Sequence, residues 1–182
     1  MSIFMNADMK KKLNALTMKE ILGYSIHSED IASTFYWTLA KVFDPNDLVK
    51  AKFLSLSNDE KLHKEALLSL HRSTFGNDKY VIPKGLPPFE SVAPVKTVGS
   101  FTEALETGME NERNAHDIYM YLAKEFPENR KLFKYLAKTE MGHYETLKQD
   151  YHFFQDEFKD EPNVKLSQVY ASTLFRPLDI EK

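Results

Sequence analysis

The sequence predicts an all-α protein: a four-helix bundle made of two pseudo-symmetric helical hairpins joined by a long crossover. Three observations carry that prediction: an internal repeat, apolar residues at three- and four-residue spacing, and one Pro- and Gly-rich segment in mid-chain. Aligned on itself at an offset of 83 residues, Thr17 meets Ser100, Glu20 meets Glu103, Glu29 meets Glu112, Ala32 meets Ala115 and Tyr36 meets Tyr119. Leu39, Ala40, Lys41 and Phe43 then face Leu122, Ala123, Lys124 and Phe126 without a gap. Past the following turn the offset becomes 80, and Phe53, Leu56, Glu60, His63 and Glu65 meet Phe133, Leu136, Glu140, His143 and Glu145.

Each half opens on a helix-start signal. Thr17-x-x-Glu20 and Ser100-x-x-Glu103 both read as capping boxes, in which two side chains satisfy backbone N–H groups of the first turn, so helices start near Thr17 and Ser100. The turns DPND (Asp44 to Asp47) and FPEN (Phe126 to Asn129) end them, since Pro45 and Pro127 stop or restart a helix. The second helix is expected from about Asn46 to Phe75 and the fourth from about Glu128 to Phe158. Between the hairpins, Gly76 to Gly99 holds four of the eight Pro and three of the six Gly, which marks an extended connection. A long crossover between two short-turn hairpins is the ferritin-like topology. We read one domain over 1–182, with the bundle over about 17–158, the crossover over about 76–99 and a tail over about 159–182, whose Val169 to Phe175 stretch is apolar enough to pack.

Composition excludes several functions. With 24 Lys+Arg against 27 Asp+Glu there is no positive excess to hold nucleic acid or an anionic membrane. Charge-free stretches reach about ten residues, as in Ile31 to Ala40, where a membrane helix needs roughly 20. The Met1 start shows no secretory signal pattern, so a cytoplasmic protein is expected. The absence of Cys removes thiolate metal sites, iron–sulfur clusters and cysteine nucleophiles, and any metal must bind through oxygen and nitrogen.

Two Glu-x-x-His pairs then stand out. Glu60 with His63, and Glu140 with His143, each place a carboxylate and an imidazole one turn apart on one helix face. The motif alone is weak, because this composition yields about 0.5 such pairs by chance. Position carries the weight: the pairs occupy equivalent points of the repeat, as do Glu29 and Glu112 on the preceding helices. Helical rise puts Glu29 and Glu60 each about 21 Å from the turn between them, and Glu112 and Glu140 about 21 and 18 Å from theirs, so both pairs share one level. Four Glu and two His at one height, one Glu from each of two helices and Glu-x-x-His from the other two, make a di-iron or di-manganese carboxylate constellation.

On these residues the chain resembles the rubrerythrin-type branch of the ferritin-like di-iron carboxylate proteins, over about Thr17 to Phe158. The resemblance implies that Glu29, Glu60, His63, Glu112, Glu140 and His143 bind two Fe ions, with Mn as the alternative, and that Tyr36 and Tyr119 donate hydrogen bonds behind the ligands. It also suggests that Asp59, directly before Glu60, orients a ligand imidazole; Thr139 stands in its place in the other half. His116, one turn after Glu112, reads as a core or supporting residue rather than a ligand, and His27, His71 and His152 as surface or packing residues. Two differences separate the chain from rubrerythrins. They carry an extra Glu three residues after the third-helix Glu, tied to redox-linked metal movement, where this sequence has Ala115; and they append a rubredoxin domain with four Cys, where this sequence has none.

The expected function is therefore that of a non-haem di-iron carboxylate oxidoreductase acting on hydrogen peroxide or O₂, working as a homodimer and supplied with electrons by a separate protein such as a rubredoxin. The alternative is a ferroxidase and iron-storage protein of bacterioferritin type. A third reading is a helical interaction module that metals merely brace.

Overall fold

The computed structural model describes residues 7–42, 48–86 and 95–170. The elements are α1 (Ala7–Asn14), α2 (Met18–Lys41), α3 (Leu48–Phe75), α4 (Val98–Glu125), a 3₁₀ turn (Pro127–Asn129), α5 (Arg130–Glu157) and α6 (Leu166–Tyr170). The four long helices form a ferritin-like bundle in which α2 packs on α3 and α4 on α5. The hairpins meet antiparallel, because His63 on α3 faces Glu140 on α5 while Glu60 faces His143. Among the described residues there are no strands, and no helix is long and apolar enough to cross a membrane.

The start of α2 follows the local code. Thr17 is the N-cap: the Glu20 N–H donates to Thr17 Oγ1 at 3.3 Å and the Thr17 N–H donates to Glu20 Oε2 at 2.9 Å. The start of α4 corrects the expectation, for the cap is Thr97 rather than Ser100. Here the Ser100 N–H donates to Thr97 Oγ1 at 3.2 Å and the Thr97 N–H to Ser100 Oγ at 3.0 Å, so Ser100 fills the role expected of Glu103. The cause is tertiary. The chain after α5 runs back along residues 96–99, where the Val98 N–H donates to Val164 O at 3.0 Å, Leu166 N–H to Lys96 O at 3.1 Å and Gly99 N–H to Pro162 O at 2.8 Å. That pairing holds Thr97 extended (φ −122°, ψ 165°), and a Cβ on Gly99 would stand 3.1 Å from Pro162 O.

The other boundaries fall close to expectation. α3 begins at Leu48 and ends at Phe75, where Gly76 (φ 74°) turns the chain and its N–H donates to Arg72 O at 2.8 Å. The fourth helix is split by Pro127 into the 3₁₀ turn and α5. The turn expected at 44–47 lies outside the described residues, as do 87–94 of the crossover and 171–175 of the apolar tail stretch. The crossover presses on α2: a Cβ on Gly23 would meet the Val81 carbonyl oxygen at 2.1 Å, so only glycine lets the connection lie there.

Two apolar clusters fill the bundle. One joins Phe35, Leu39, Phe53, Phe101, Leu105, Leu147 and Phe154, and is closed by Leu166 and Val169 of α6. The tail segment thus packs onto this end through Val169. The other cluster joins Leu22, Ile26, Leu67, Ile118, Leu122, Phe133 and Leu136, closed by Leu13 of α1, which Tyr121 secures by donating to Asn14 Oδ1. Each buried side chain of this kind contributes about 1.5–3 kcal/mol. Along every long helix the two clusters are separated by one buried polar stretch: Glu29 on α2, Glu60 and His63 on α3, Glu112 on α4, Glu140 and His143 on α5.

The cap assignment has a direct test. Thr97→Ala is expected to destabilise the protein by about 1 kcal/mol, as is Thr17→Ala, while Glu103→Ala stays within about 0.5 kcal/mol, as read from urea unfolding.

Candidate metal centre

Helical spacing puts Glu60 and His63 on one interior face of α3 and Glu140 and His143 on the matching face of α5. Together with Glu29 and Glu112 they are 1 to 5% exposed and occupy one level, as the rise along the helices requires. Two overlapping groups result: Glu29, Glu60, His63 and Glu140, and Glu60, Glu112, Glu140 and His143. Within each group one ligand atom from every residue lies within 4.8 Å of the others, and Glu60 and Glu140 belong to both.

His63 Nδ1 stands 3.0 Å from Glu140 Oε1, 3.1 Å from Glu60 Oε2 and 3.7 Å from Glu29 Oε2. His143 Nδ1 stands 2.8 Å from Glu60 Oε1, 3.5 Å from Glu140 Oε2 and 3.6 Å from Glu112 Oε2. The two rings lie nearly parallel, 5.5 Å apart. Despite these approaches, Glu60 Oε1, Glu140 Oε1 and His143 Nδ1 have no partner in hydrogen-bonding geometry. Buried carboxylate oxygens and imidazole nitrogens that converge on one level suit a cation that displaces the imidazole protons, so the residues fit the two metal ions the ligand pattern implies.

The tyrosines cross between hairpins. Tyr36 of α2 donates its hydroxyl to Glu112 Oε1 of α4, and Tyr119 of α4 donates to Glu29 Oε1 of α2. Each is buried and stacked on a phenylalanine, Tyr36 on Phe53 and Tyr119 on Phe133. Asp59 Oδ2 lies 3.6 Å from Nε2 of His143, whereas the Thr139 hydroxyl donates to the Tyr135 carbonyl of its own helix at 2.8 Å. His116 turns away to Asp117 at 3.1 Å and joins neither group. Ala115 packs on the Leu122 cluster. His71 is a buried packing residue with Nδ1 on Asn77 O at 2.7 Å; His152 is exposed and His27 half-buried.

One half-buried ion pair escaped the sequence reading. Lys52 Nζ of α3 meets Asp150 Oδ1 of α5 at 2.5 Å, with Asp150 deep in the seam. Its position seven residues after His143, two turns on along the same face, was the available signal.

Burial pushes the carboxyl of Glu29 well above the usual range, helped by the charges of Glu140 and Glu60; Glu112 is raised by burial and then by Glu60. Burial acts on Glu60 too, but the facing imidazoles of His143 and His63 outweigh it and hold Glu60 ionised below the usual range. Burial alone would depress His63, yet the adjacent carboxylates of Glu140, Glu29 and Glu60 carry it up to about 12, and His143 is raised in the same way by Glu112, Glu140 and Glu60. Tyr36 is raised by burial and by the charge on Glu112, which keeps its hydroxyl proton in place as a donor. Without metal, the layer therefore neutralises itself with protons.

The Rubrerythrin family model matches residues 20–151. The chain belongs to the rubrerythrin family. No curated protein matches it. Among solved structures, a hypothetical protein from Pyrococcus furiosus is 29% identical with a TM-score of 0.73, covering 80% of this chain and 95% of that one. A protein from Thermotoga maritima, described as a ferritin-like diiron-carboxylate protein, is 20% identical with a TM-score of 0.55, covering 75% and 95%. The bacterioferritin of Rhodobacter capsulatus, solved with a metal-free dinuclear site and a heme iron, is 16% identical with a TM-score of 0.59, covering 88% and 94%. The last two share the fold with this rubrerythrin-family chain.

Because His63 holds its proton more tightly folded than unfolded, the stability it lends the metal-free protein is full below about pH 6.5 and decays as pH rises toward about 12. His143 acts in the same direction. In chelator, the melting temperature is expected to fall steadily from pH 6.5 to pH 9; a flat or rising profile over that window would contradict the clustered imidazoles.

Proposed function

We propose that the six residues bind two iron ions, with manganese as the alternative, and that the protein is a non-haem oxidoreductase reducing hydrogen peroxide or O₂. The observation that carries the reading is the pair of overlapping buried ligand groups that share Glu60 and Glu140 and leave lone pairs unpartnered. Four carboxylates neutralise two divalent ions, and an all-oxygen and nitrogen donor set suits Fe or Mn. Bound there, two ferrous ions would supply the two electrons that, with two protons from solvent, reduce one peroxide to two waters.

The chain's own residues do the rest. Glu60 and Glu140, which belong to both groups, would serve both ions, and His63 and His143 would offer the Nδ1 atoms that face the carboxylates. Glu29 and Glu112 each complete one position. Tyr119 and Tyr36 hold a proton on their hydroxyl oxygens against those two carboxylates, which orients them and leaves the second oxygen of each for the ion. The apolar clusters above and below keep bulk water from the ligands. On this reading electrons arrive from a separate donor such as a rubredoxin. A homodimeric, cytoplasmic protein forming one domain belongs to the same proposal.

The bacterioferritin-type alternative rests on the doubled Glu-x-x-His pattern and differs in assembly. Elution as a few chains of 21.1 kDa supports the oxidoreductase, whereas a hollow cage of hundreds of kilodaltons supports storage.

Protein purified without oxygen is expected to hold two metal ions per chain and to consume one peroxide per two ferrous ions. Glu60→Ala or Glu140→Ala should lose most of the metal. Because binding displaces protons from the imidazoles and from Glu29 and Glu112, metal should raise the melting temperature more at pH 9 than at pH 6.5. One ion per chain at saturation would overturn the dinuclear site, and ferrous protein that leaves peroxide intact would favour the bracing role.

Ala115 supplies a second test. With no carboxylate one turn beyond Glu112, ligands and metal positions should be the same in oxidised and reduced crystals, and Ala115→Glu should reduce peroxide faster in stopped flow. An iron that leaves its His on oxidation in the wild type, or no rate gain in a fully loaded variant, would refute this.

A further inference from the structure

The polar links within the ligand layer do not say which hairpin pairs with which. Tyr36 meets Glu112 and Tyr119 meets Glu29; His63 meets Glu140 and His143 meets Glu60. In each case the second link is the repeat equivalent of the first. Two copies of the first hairpin (α2 and α3), taken from two chains, would therefore make the same set, Tyr36 to Glu29 and His63 to Glu60. Outside the layer the equivalence breaks down. Lys52 of α3 meets Asp150 of α5 at 2.5 Å, where the Asp150 side chain is 11% exposed and its Oδ2 has no partner. The equivalent residues, Leu132 and Leu70, pack on the apolar cluster at the other end. Gly108 of α4 makes room for Phe35 of α2, since a Cβ there would stand 3.3 Å from the Phe35 ring. The residues at the equivalent positions are Ser25 and Ile118, both buried.

We propose that Lys52 and Asp150, seconded by Phe35 and Gly108, are the code by which the first hairpin accepts the second (α4 and α5) and refuses the matching hairpin of another copy of the chain. Between two first hairpins, the antiparallel register that sets Lys52 against Asp150 would set Lys52 against Leu70 twice over, and press Phe35 on Ser25. Between two second hairpins it would strand Asp150 against Leu132, and Ile118 would fall short of filling the place of Phe35 beside Gly108. An ion held in such a seam without its partner is strongly destabilising, whereas apolar replacement of both members is often neutral. Lone polar groups in apolar seams fix partner choice between coiled-coil helices by the same means. The long connection makes the choice matter: residues 76–99 can span up to about 80 Å when extended, enough for two chains to exchange hairpins while they fold. Metal does not enter the argument, because either pairing would gather the same ligand types.

Charge reversal in full-length chains tests the proposal, with every protein unfolded in urea, refolded under one set of conditions, and followed by melting temperature and native mass spectrometry. Lys52→Asp and Asp150→Lys, each refolded alone, should melt well below wild type, because like charges then face each other in the seam. Refolded together, they should melt near wild type and give particles that hold the two chains in equal number, since only exchange of hairpins sets each aspartate against a lysine. Both reversals in one chain should restore the wild-type melt and assembly without a partner. Lys52→Leu combined with Asp150→Leu should melt at or above wild type, yet exchange hairpins and form larger oligomers than wild type as the refolding concentration rises. The proposal is overturned if either single reversal melts as wild type, or if the co-refolded reversals melt as low as each alone or mix at random. A double reversal that stays unstable would also overturn it, as would a double Leu variant that refolds only to the wild-type assembly at every concentration.

Discussion

Four carboxylates and two imidazoles sealed in the middle of a helical bundle are held together by a shared need for positive charge, and most of the structure answers to that need. Burying an ionised carboxylate costs several kcal/mol unless it is paired. Here the pairing is internal to the layer: each imidazole sits against three carboxylates, and Glu29 and Glu112 retain protons where the others would repel them. A layer neutralised in this way is poised to exchange protons for cations. The apolar clusters on either side make that exchange selective by excluding water as the competing partner.

The same layer ties the two hairpins to one another. Within a hairpin the helices pack along their length, but the links between hairpins at the centre are polar and reciprocal: Tyr36 to Glu112, Tyr119 to Glu29, His63 to Glu140, His143 to Glu60. Removing the charge on one helix therefore strands a group on a helix of the other half. This is the physical advantage of a duplicated hairpin. One ligand-bearing design used twice, with the copies antiparallel, closes a site that neither copy contains.

Duplication also leaves positions where the copies have diverged, and these give the centre its two unlike sides. Lys52 and Asp150 form an ion pair in the α3–α5 seam at one end of the layer; the residues at the equivalent positions of the repeat are Leu132 and Leu70, which pack on the apolar cluster at the other end. Asp59 faces an imidazole, and Thr139 caps a carbonyl of its own helix. The layer is symmetric in its ligands and asymmetric in what lies behind them.

Much of this was legible in one dimension. The repeat, the helical spacing and the Pro- and Gly-rich middle determined the four-helix bundle with its crossover, and the doubled Glu-x-x-His with a partner Glu upstream determined which six residues would share a level, because helical rise and periodicity are properties of the chain alone. Thr17 announced its cap for the same reason: both halves of the capping box lie within four residues. Thr97 did not, since its extended backbone is imposed by pairing with a segment after α5 more than sixty residues away. Nor could spacing say that each tyrosine would serve the other hairpin's glutamate, that Asp59 would face His143, or that Asp150 would find Lys52. Spacing assigns a residue its height and its face, but its partner across the bundle depends on how the helices are turned toward one another, and only tertiary packing decides that.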